Sequence, residues 1–232
     1  MRRIIVAIAS LVCCSLTARA DYIIKEQFEN SGLVQHITLR IKDTRIRMDA
    51  GDQTSALIDS KTGVTTLLLH PNKAFLKISP EEIKEQTKAL TEMLGQNLEN
   101  PPDAQLQPTG KQEKINGLDT KEYTTTCNGI QMSIFIAKQY PDYQKIVEAL
   151  YRIQNDPAVQ IFQSMSIPPD KYPGLPVRTT QTIMGRKLTM TFDSAQETNV
   201  PDSDFAIPPE YKELNPPAIA EPENAAVEKG QH

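Results

Sequence analysis

Histidine, cysteine and clustered carboxylates are the side chains that hold metals or carry nucleophilic and acid–base chemistry. This chain of 232 residues has few of them, and they are scattered. His36 falls on the polar side of a strand pattern, His70 ends another, and His232 is the last residue. None has a Cys, His or Asp partner at ligand spacing, so solvated strand histidines are the expectation and no metal site is called. Cys127 stands beside Asn128-Gly129 with no neighbouring His, which reads as a turn-end thiol and leaves no nucleophile to assign. Asp49 and Asp52 flank Gly51 in the manner of a calcium loop, but Thr54, Ala56 and Leu57 follow where further oxygen ligands belong, so a charged hairpin turn is expected. The pair Glu81-Glu82 is explained by the start of a helix. No Gly-x-Ser-x-Gly elbow, phosphate-cradling glycine loop or dinucleotide fingerprint occurs. The chain is therefore expected not to be an enzyme, with no catalytic residues, no metal and no cofactor.

The N-terminus carries a different signal. Arg2 and Arg3 precede an apolar run from Ile4 to Leu16, and Ala18-Arg19-Ala20 places small residues where a signal peptidase reads before cutting. An apolar stretch of about 13 residues is too short to span a bilayer, and no other stretch approaches the roughly 20 needed. Residues 1–20 are thus expected to be a signal peptide cleaved after Ala20, leaving a periplasmic or secreted protein with no integral membrane segment. Cys13 and Cys14 go with it, and neither has the small preceding residue that a lipid-attachment cysteine needs. Only Cys127 is left, so the mature chain has no internal disulfide and depends on its core. Cleavage also removes Arg19 with the other two arginines and no acid, moving the balance from 25 basic against 29 acidic residues to 22 against 29, a net of −7. An acidic domain without a basic stripe is a poor partner for nucleic acid or anionic membrane.

The elements follow from hydrophobic period. From Asp21 to Ser79, apolar residues alternate with polar ones in six short runs: Tyr22, Ile24 and Phe28; Ile37, Leu39 and Ile41; Ile46 and Met48; Ala56 and Ile58; Leu67 and Leu69; Ala74, Leu76 and Ile78. Turn residues separate the runs, which predicts an antiparallel meander. At Ser79-Pro80-Glu81-Glu82 the period changes to helical, with a cap, a first-turn proline and a returning glutamate, and Gly95 ends it. Ile83, Thr87, Leu90 and Leu94 make a narrow stripe suited to lying on or inside a curved sheet. A loop through Pro101, Pro102 and Pro108 leads to strands from about Lys111, with hairpin signals at Asn116-Gly117 and at Cys127-Asn128-Gly129. A second helix is expected after Pro141, broken at Asp156-Pro157 and continuing to about Met165. Val177–Met184 and Arg186–Asp193 then make a last hairpin, and a further short strand is expected through Glu197–Val200. The tail from residue 214 on, rich in Pro, Ala and Glu, has no period and is expected to be disordered.

Two amphipathic helices have some ten or more half-apolar strands to cover. A sheet that curls around them in a half-barrel leaves an apolar concavity suited to a lipid-like ligand, whereas a fully packed interior leaves none. The sequence alone admits both.

The closing stretch resembles a known family. Tyr172-Pro173-Gly174-Leu175-Pro176-Val177, Met184-Gly185-Arg186 and Asp202-Ser203-Asp204-Phe205-Ala206-Ile207-Pro208-Pro209-Glu210-Tyr211-Lys212 are similar to the ending of an uncharacterised bacterial envelope family, the domain of unknown function DUF4412. That family in turn resembles the LolA/LolB-like lipoprotein carriers. The resemblance spans roughly residues 21–213 and implies an α+β fold, a curved antiparallel sheet forming an unclosed half-barrel wrapped around helices. It also implies one LolA-like domain over 21–213 between the signal peptide and the 214–232 tail. The Phe205–Lys212 motif reads as a closing clasp, with Phe205 and Ile207 burying, Pro208 and Pro209 fixing the backbone, and Tyr211 packing. The functional expectation is a non-catalytic envelope protein that binds a lipid or other hydrophobic small molecule. Its cavity is expected to be lined by Ile37, Leu39, Met48, Leu67, Leu69, Met132, Ile134 and Met190. The alternative is an interaction or scaffold domain with a filled core and an envelope protein as partner. Nucleic acid is not an expected partner.

Overall fold

The computed structural model describes residues 21–94, 105–127, 129–154, 167–183 and 185–214. The signal segment, the helical run expected to about Met165 and the 215–232 tail lie outside the described residues.

Alternation produces the six expected strands: β1 (Tyr22–Asn30), β2 (Leu33–Lys42), β3 (Arg45–Ala50), β4 (Thr54–Asp59), β5 (Val64–Leu69) and β6 (Ala74–Ile78). Each pairs antiparallel with the next. The β1–β2 turn places Ser31 and Gly32 at φ 52° and 87°, the left-handed backbone that matches strand twist in a two-residue hairpin. α1 (Pro80–Leu94) starts at the expected cap: the Ser79 N–H and hydroxyl donate to the Glu82 carboxylate at 2.7 Å, and the Glu82 N–H returns to Ser79 Oγ at 3.2 Å. β7 (Gln107–Ile115) begins four residues before its expected start, and β8 (Leu118–Cys127) and β9 (Ile130–Ala137) complete the second antiparallel group. α2 (Tyr143–Gln154) links β9 to β10 (Leu175–Ile183). β11 (Arg186–Glu197) runs without a break, so the separate strand expected through Glu197–Val200 does not exist. β11 reaches Glu197 because it pairs with the whole of β1, from Tyr22↔Glu197 to Asn30↔Leu188.

That pairing creates one sheet in the order β12-β6-β5-β4-β3-β2-β1-β11-β10-β9-β8-β7, with β12 (Lys212–Glu213) lying parallel to β6. The architecture is α+β: a mostly antiparallel, unclosed sheet of twelve described strands with two helices. The chain leaves the sheet at β6 and re-enters it at β7, strands near opposite ends of the strand order. Register shifts at Lys25/Glu26 against β11 and at Pro176/Arg178 against β9 insert extra residues and bend the strands there. The central core collects Tyr22, Ile24, Ile37, Leu39 and Ile41 from β1 and β2 with Phe135, Ala137, Leu175, Val177 and Phe192 and with Ile146, Val147 and Ala149 of α2. A second cluster gathers Tyr123, Ile130, Met132, Ile134, Ile136 and Ile167.

After β11 the chain runs across the other face of β2–β6 as the expected clasp. The Asp202 carboxylate meets Lys42 at 3.2 Å and Arg45 at 2.5 Å, while Asp204 meets Arg40 at 3.2 Å. Ile207 and Tyr211 pack on buried Leu57, Leu68 and Phe75. Phe205 and Ile207 are half-buried where full burial was expected. The Arg45 guanidinium lies over the Phe205 ring, 4.8 Å from its centre. The Lys212 and Leu214 N–H groups donate to the Lys73 and Phe75 carbonyls, which ties the clasp to the β6 edge.

Beneath it runs a directed chain of hydrogen bonds. Ser55 Oγ donates to Asp49 Oδ1, Ser55 Oγ and His70 Nε2 lie 2.7 Å apart, and His70 Nδ1 is 2.7 Å from the Tyr211 hydroxyl. With the serine proton committed to Asp49, His70 Nε2 donates to Ser55 Oγ, and Nδ1 pairs with the Tyr211 hydroxyl. Burial works to raise the Asp49 pKa, but hydrogen bonds from Ser55 and Arg47 and the charges of Arg47 and Arg40 outweigh it and hold the carboxyl below its usual range. Tyr211→Phe removes one bond and leaves His70 Nδ1 unpaired. Urea unfolding should register a loss of about 1–2 kcal/mol, and an unchanged midpoint would show that the hydroxyl contributes nothing.

Candidate functional site

Residues opposite one another in paired strands point to the same face, so the register of β1–β6 defines transverse rows. One row reads Leu76–Leu67–Ala56–Met48–Leu39–Ile24–Ala195 from β6 across β1 to β11. It is apolar at every position. The row beside it reads Ala74–Leu69–Thr54–Ala50–Ile37–Glu26–Phe192. It is interrupted by polar Thr54 and by one acid.

The β1–β2 end of this face packs against α2 in the central core. Toward β6 this cover ends: Met48 reaches only the edge of that core, and half-buried Leu67, Leu69, Leu76 and Ile78 belong to none of the buried clusters. The described part of α1 has no buried side chain, although Ile83 is half-buried. The result is an apolar strip across neighbouring strands that the described residues cover only in part.

Of the residues expected to line a cavity, Ile37 and Leu39 lie buried in the central core, with Met48 and Met190 packed against its edge. Leu67 and Leu69 extend the same face. Met132 and Ile134 fall in the second cluster, fully or nearly fully buried, with Thr179 standing between Ile134 and Met190 in the register. The register thus turns all eight positions to one face, but Met132 and Ile134 lie beyond β10 and pack in the second cluster.

Glu26 was missed by reading the sequence. It lies between Ile37 and Phe192 in its row and between Ile24 and Phe28 along β1. It is the only charged residue among the described positions of β1–β6 that point to this face. No described residue offers it a hydrogen bond or an ion pair. Burial first, and the neighbouring Asp193 carboxylate second, push its pKa up from 4.5 to about 7. Asp193, the extra residue beside the register shift, is held by Gln27 Nε2 at 3.0 Å and Asn116 Nδ2 at 3.1 Å. The available signal was the position of an acid inside an apolar alternation, Tyr22-x-Ile24-x-Glu26-x-Phe28.

The Ser55–His70 contact is the other arrangement that scattered sequence positions concealed. His36 is exposed as expected, whereas His70 is half-buried and bonded at both ring nitrogens, because the clasp returns over it. Ser55 is 1% exposed and its proton points to Asp49, so no substrate carbonyl can reach a free hydroxyl there. Cys127 ends β8 opposite Ile130. Among the described residues no group of three His, Cys, Asp or Glu side chains could hold a metal ion. No helix among them is long and apolar enough to cross a membrane.

Residues 24–211 match the family model described as Domain of unknown function (DUF4412). The chain belongs to this family. No curated protein matches it. Among solved structures, this DUF4412 chain is similar to PNGF-II at 14% identity and a TM-score of 0.37, covering 84% of this chain and 31% of that one. It therefore spans about a third of the length of that protein. It is also similar to a domain assigned to outer membrane lipoprotein sorting in Vibrio parahaemolyticus (12% identity, TM-score 0.35, 80% and 89% of the two chains). A third likeness is to the lipoprotein LppX of Mycobacterium tuberculosis (12% identity, TM-score 0.35, 76% and 86%). None of these TM-scores reaches 0.5, and the architecture rests on the chain's own strand order.

The raised Glu26 pKa has a measurable sign. The folded state holds a proton there up to about pH 7 while the unfolded chain releases it near 4.5, so stability is greatest below that lower value and falls as pH rises through the folded one. The loss is at most on the order of 3 kcal/mol, since the residue as a whole is only half-buried. Unfolding free energies of the natural chain should fall between about pH 5 and 8, and those of Glu26→Gln should stay flat across the same window. Parallel curves for the two proteins would refute the burial of this carboxyl.

Proposed function

We propose that this protein is an exported, non-catalytic component of the bacterial envelope that holds a lipid or other hydrophobic molecule against the apolar face of its half-barrel. The observation that carries this reading is the unbroken apolar row from Leu76 to Ala195 whose β5–β6 end is left half-covered. An apolar strip of this kind gains roughly 25 cal/mol for every Å² that an acyl chain removes from water, and nothing in the meander itself needs that strip to stay open for stability. The site is built from Ile37, Leu39, Met48, Leu67, Leu69 and Met190, with Leu76 and Ile78 extending it and Met132 and Ile134 lying beyond β10. Export rests on the basic, apolar and small-residue segments of residues 1–20. The acidic balance of the mature chain favours a ligand held by apolar contact over one held by phosphate-binding cations.

A second reading, an interaction domain with another envelope protein as partner, is favoured by the tip of the β1–β2 hairpin. There Leu33 is 79% and Val34 57% exposed, well away from the half-covered strip.

Mass spectrometry of gently purified protein should find a co-purifying acyl-chain species, and a fluorescent fatty-amine or fatty-alcohol probe should bind. Leu67→Gln changes a half-buried position and should leave the fold intact while weakening the probe by about tenfold, the effect of placing one amide in an apolar contact. An empty protein that ignores every probe favours the interaction domain.

A further inference from the structure

Glu26 places a single ionisable group in a strip that is otherwise apolar or neutral. Its surroundings can be named from each strand. β2 presents Gln35, Ile37 and Leu39 on this face and β3 presents Met48 and Ala50, none of them charged. β1 turns Lys25 and Gln27 to the opposite face, where they pair with Thr38 and His36. β11 brings Phe192 alongside and adds a second carboxylate at Asp193. The described ion pairs join Arg40, Arg47, Arg45 and Lys42 to the clasp acids and to Asp49, Arg178 to Glu113, Lys77 to Glu213, and Lys145 to Asp142 and Glu197. No described Lys or Arg serves Glu26 or Asp193.

An acid without a counter-charge among apolar side chains carries a standing desolvation cost. A core with no functional demand would place Val or Thr at this point of the strand alternation. A positive group brought by a ligand would supply the missing charge, and it would do so at one end of a strip able to hold a hydrocarbon chain.

Resting on the hydrophobic-ligand reading above, we propose that Glu26 is the headgroup anchor of the site and that the ligand is an amphiphile whose apolar chain ends in an ammonium group. The chain lies along the Met48–Leu67–Leu76 strip and the ammonium donates hydrogen bonds to the Glu26 carboxylate. Asp193 is held toward the opposite face by Gln27 and Asn116 and so leaves Glu26 as the one carboxylate of the strip. The Glu26 carboxylate repels a fatty-acid anion, which makes the site selective by charge as well as by chain.

Isothermal calorimetry of the full chain with dodecylamine, dodecanol and dodecanoate, each below its micellar concentration, separates the possibilities. Dodecylamine should bind about tenfold or more tighter than dodecanol, the effect of one charge-assisted hydrogen bond, and dodecanoate should bind weakest. Glu26→Gln should erase the amine's advantage while leaving dodecanol within about twofold. Glu29→Gln, an exposed acid on the opposite face, should leave the preference unchanged and so excludes general attraction to an acidic protein. An amine no better than the alcohol, or a preference that survives Glu26→Gln, overturns the anchor while the apolar site stands. Binding of none of the three overturns the hydrophobic-ligand reading and the anchor with it.

Discussion

The pairing of β1 with β11 is the constraint on which the rest of the molecule depends. Its partners lie as far apart in the chain as Tyr22 and Glu197, and it joins the N-terminal meander to the C-terminal hairpin in one sheet. Without it, the two groups of strands would each present an edge and neither would complete the central core, since Ile24 and Leu39 share that core with Phe192 and Val177. Contacts of such long range are costly in chain entropy and form only when many apolar side chains are buried together. Ile24, Leu175 and Val177, all completely buried, are the groups that meet this condition.

The same pairing contains the irregularity that defines the site. A perfectly regular β1–β11 ladder would leave Asp193 within the ordinary alternation of the strand. The register shift at Lys25/Glu26 instead makes Asp193 an extra residue next to Glu26, with Gln27 and Asn116 bonded to its carboxylate. Bulges cost ladder regularity and persist where they aim a side chain. Here Asp193 is turned to Gln27 and Asn116, and its charge still acts on Glu26 across the strand.

The opposite face solves a different problem. The strands that turn Met48, Ala56 and Leu67 to one side necessarily turn Arg47, Leu57 and Leu68 to the other, and an open sheet of this size cannot leave Leu57, Leu68 and Phe75 in water. The clasp covers them with Ile207 and Tyr211, and its acids neutralise the arginines of β2 and β3. Ser55 and His70, polar residues at the heart of that covered face, are satisfied by the hydrogen-bond chain from Tyr211 to Asp49. A Ser–His contact that would suggest catalysis in an open cleft is here a buried joint between sheet and clasp.

Local pattern alone determined the strands of the meander, the cap at Ser79 and the hairpin at Asn116-Gly117, because period, capping and turn preference act over a few residues, while the clasp at Phe205–Lys212 was legible through the family motif. It also brought the five expected lining residues of the meander, Ile37, Leu39, Met48, Leu67 and Leu69, to a common face, since alternation is enough to set which side a residue takes. What only the tertiary structure decided is everything that depends on which strands become neighbours: the continuous β11, the separation of Met132 and Ile134 into another cluster, the partners of His70, and Glu26 beside Asp193. Strand pairing at a separation of well over a hundred residues leaves no periodic trace in the chain. It is selected by the summed burial of a completed sheet, a quantity that no short window of sequence contains.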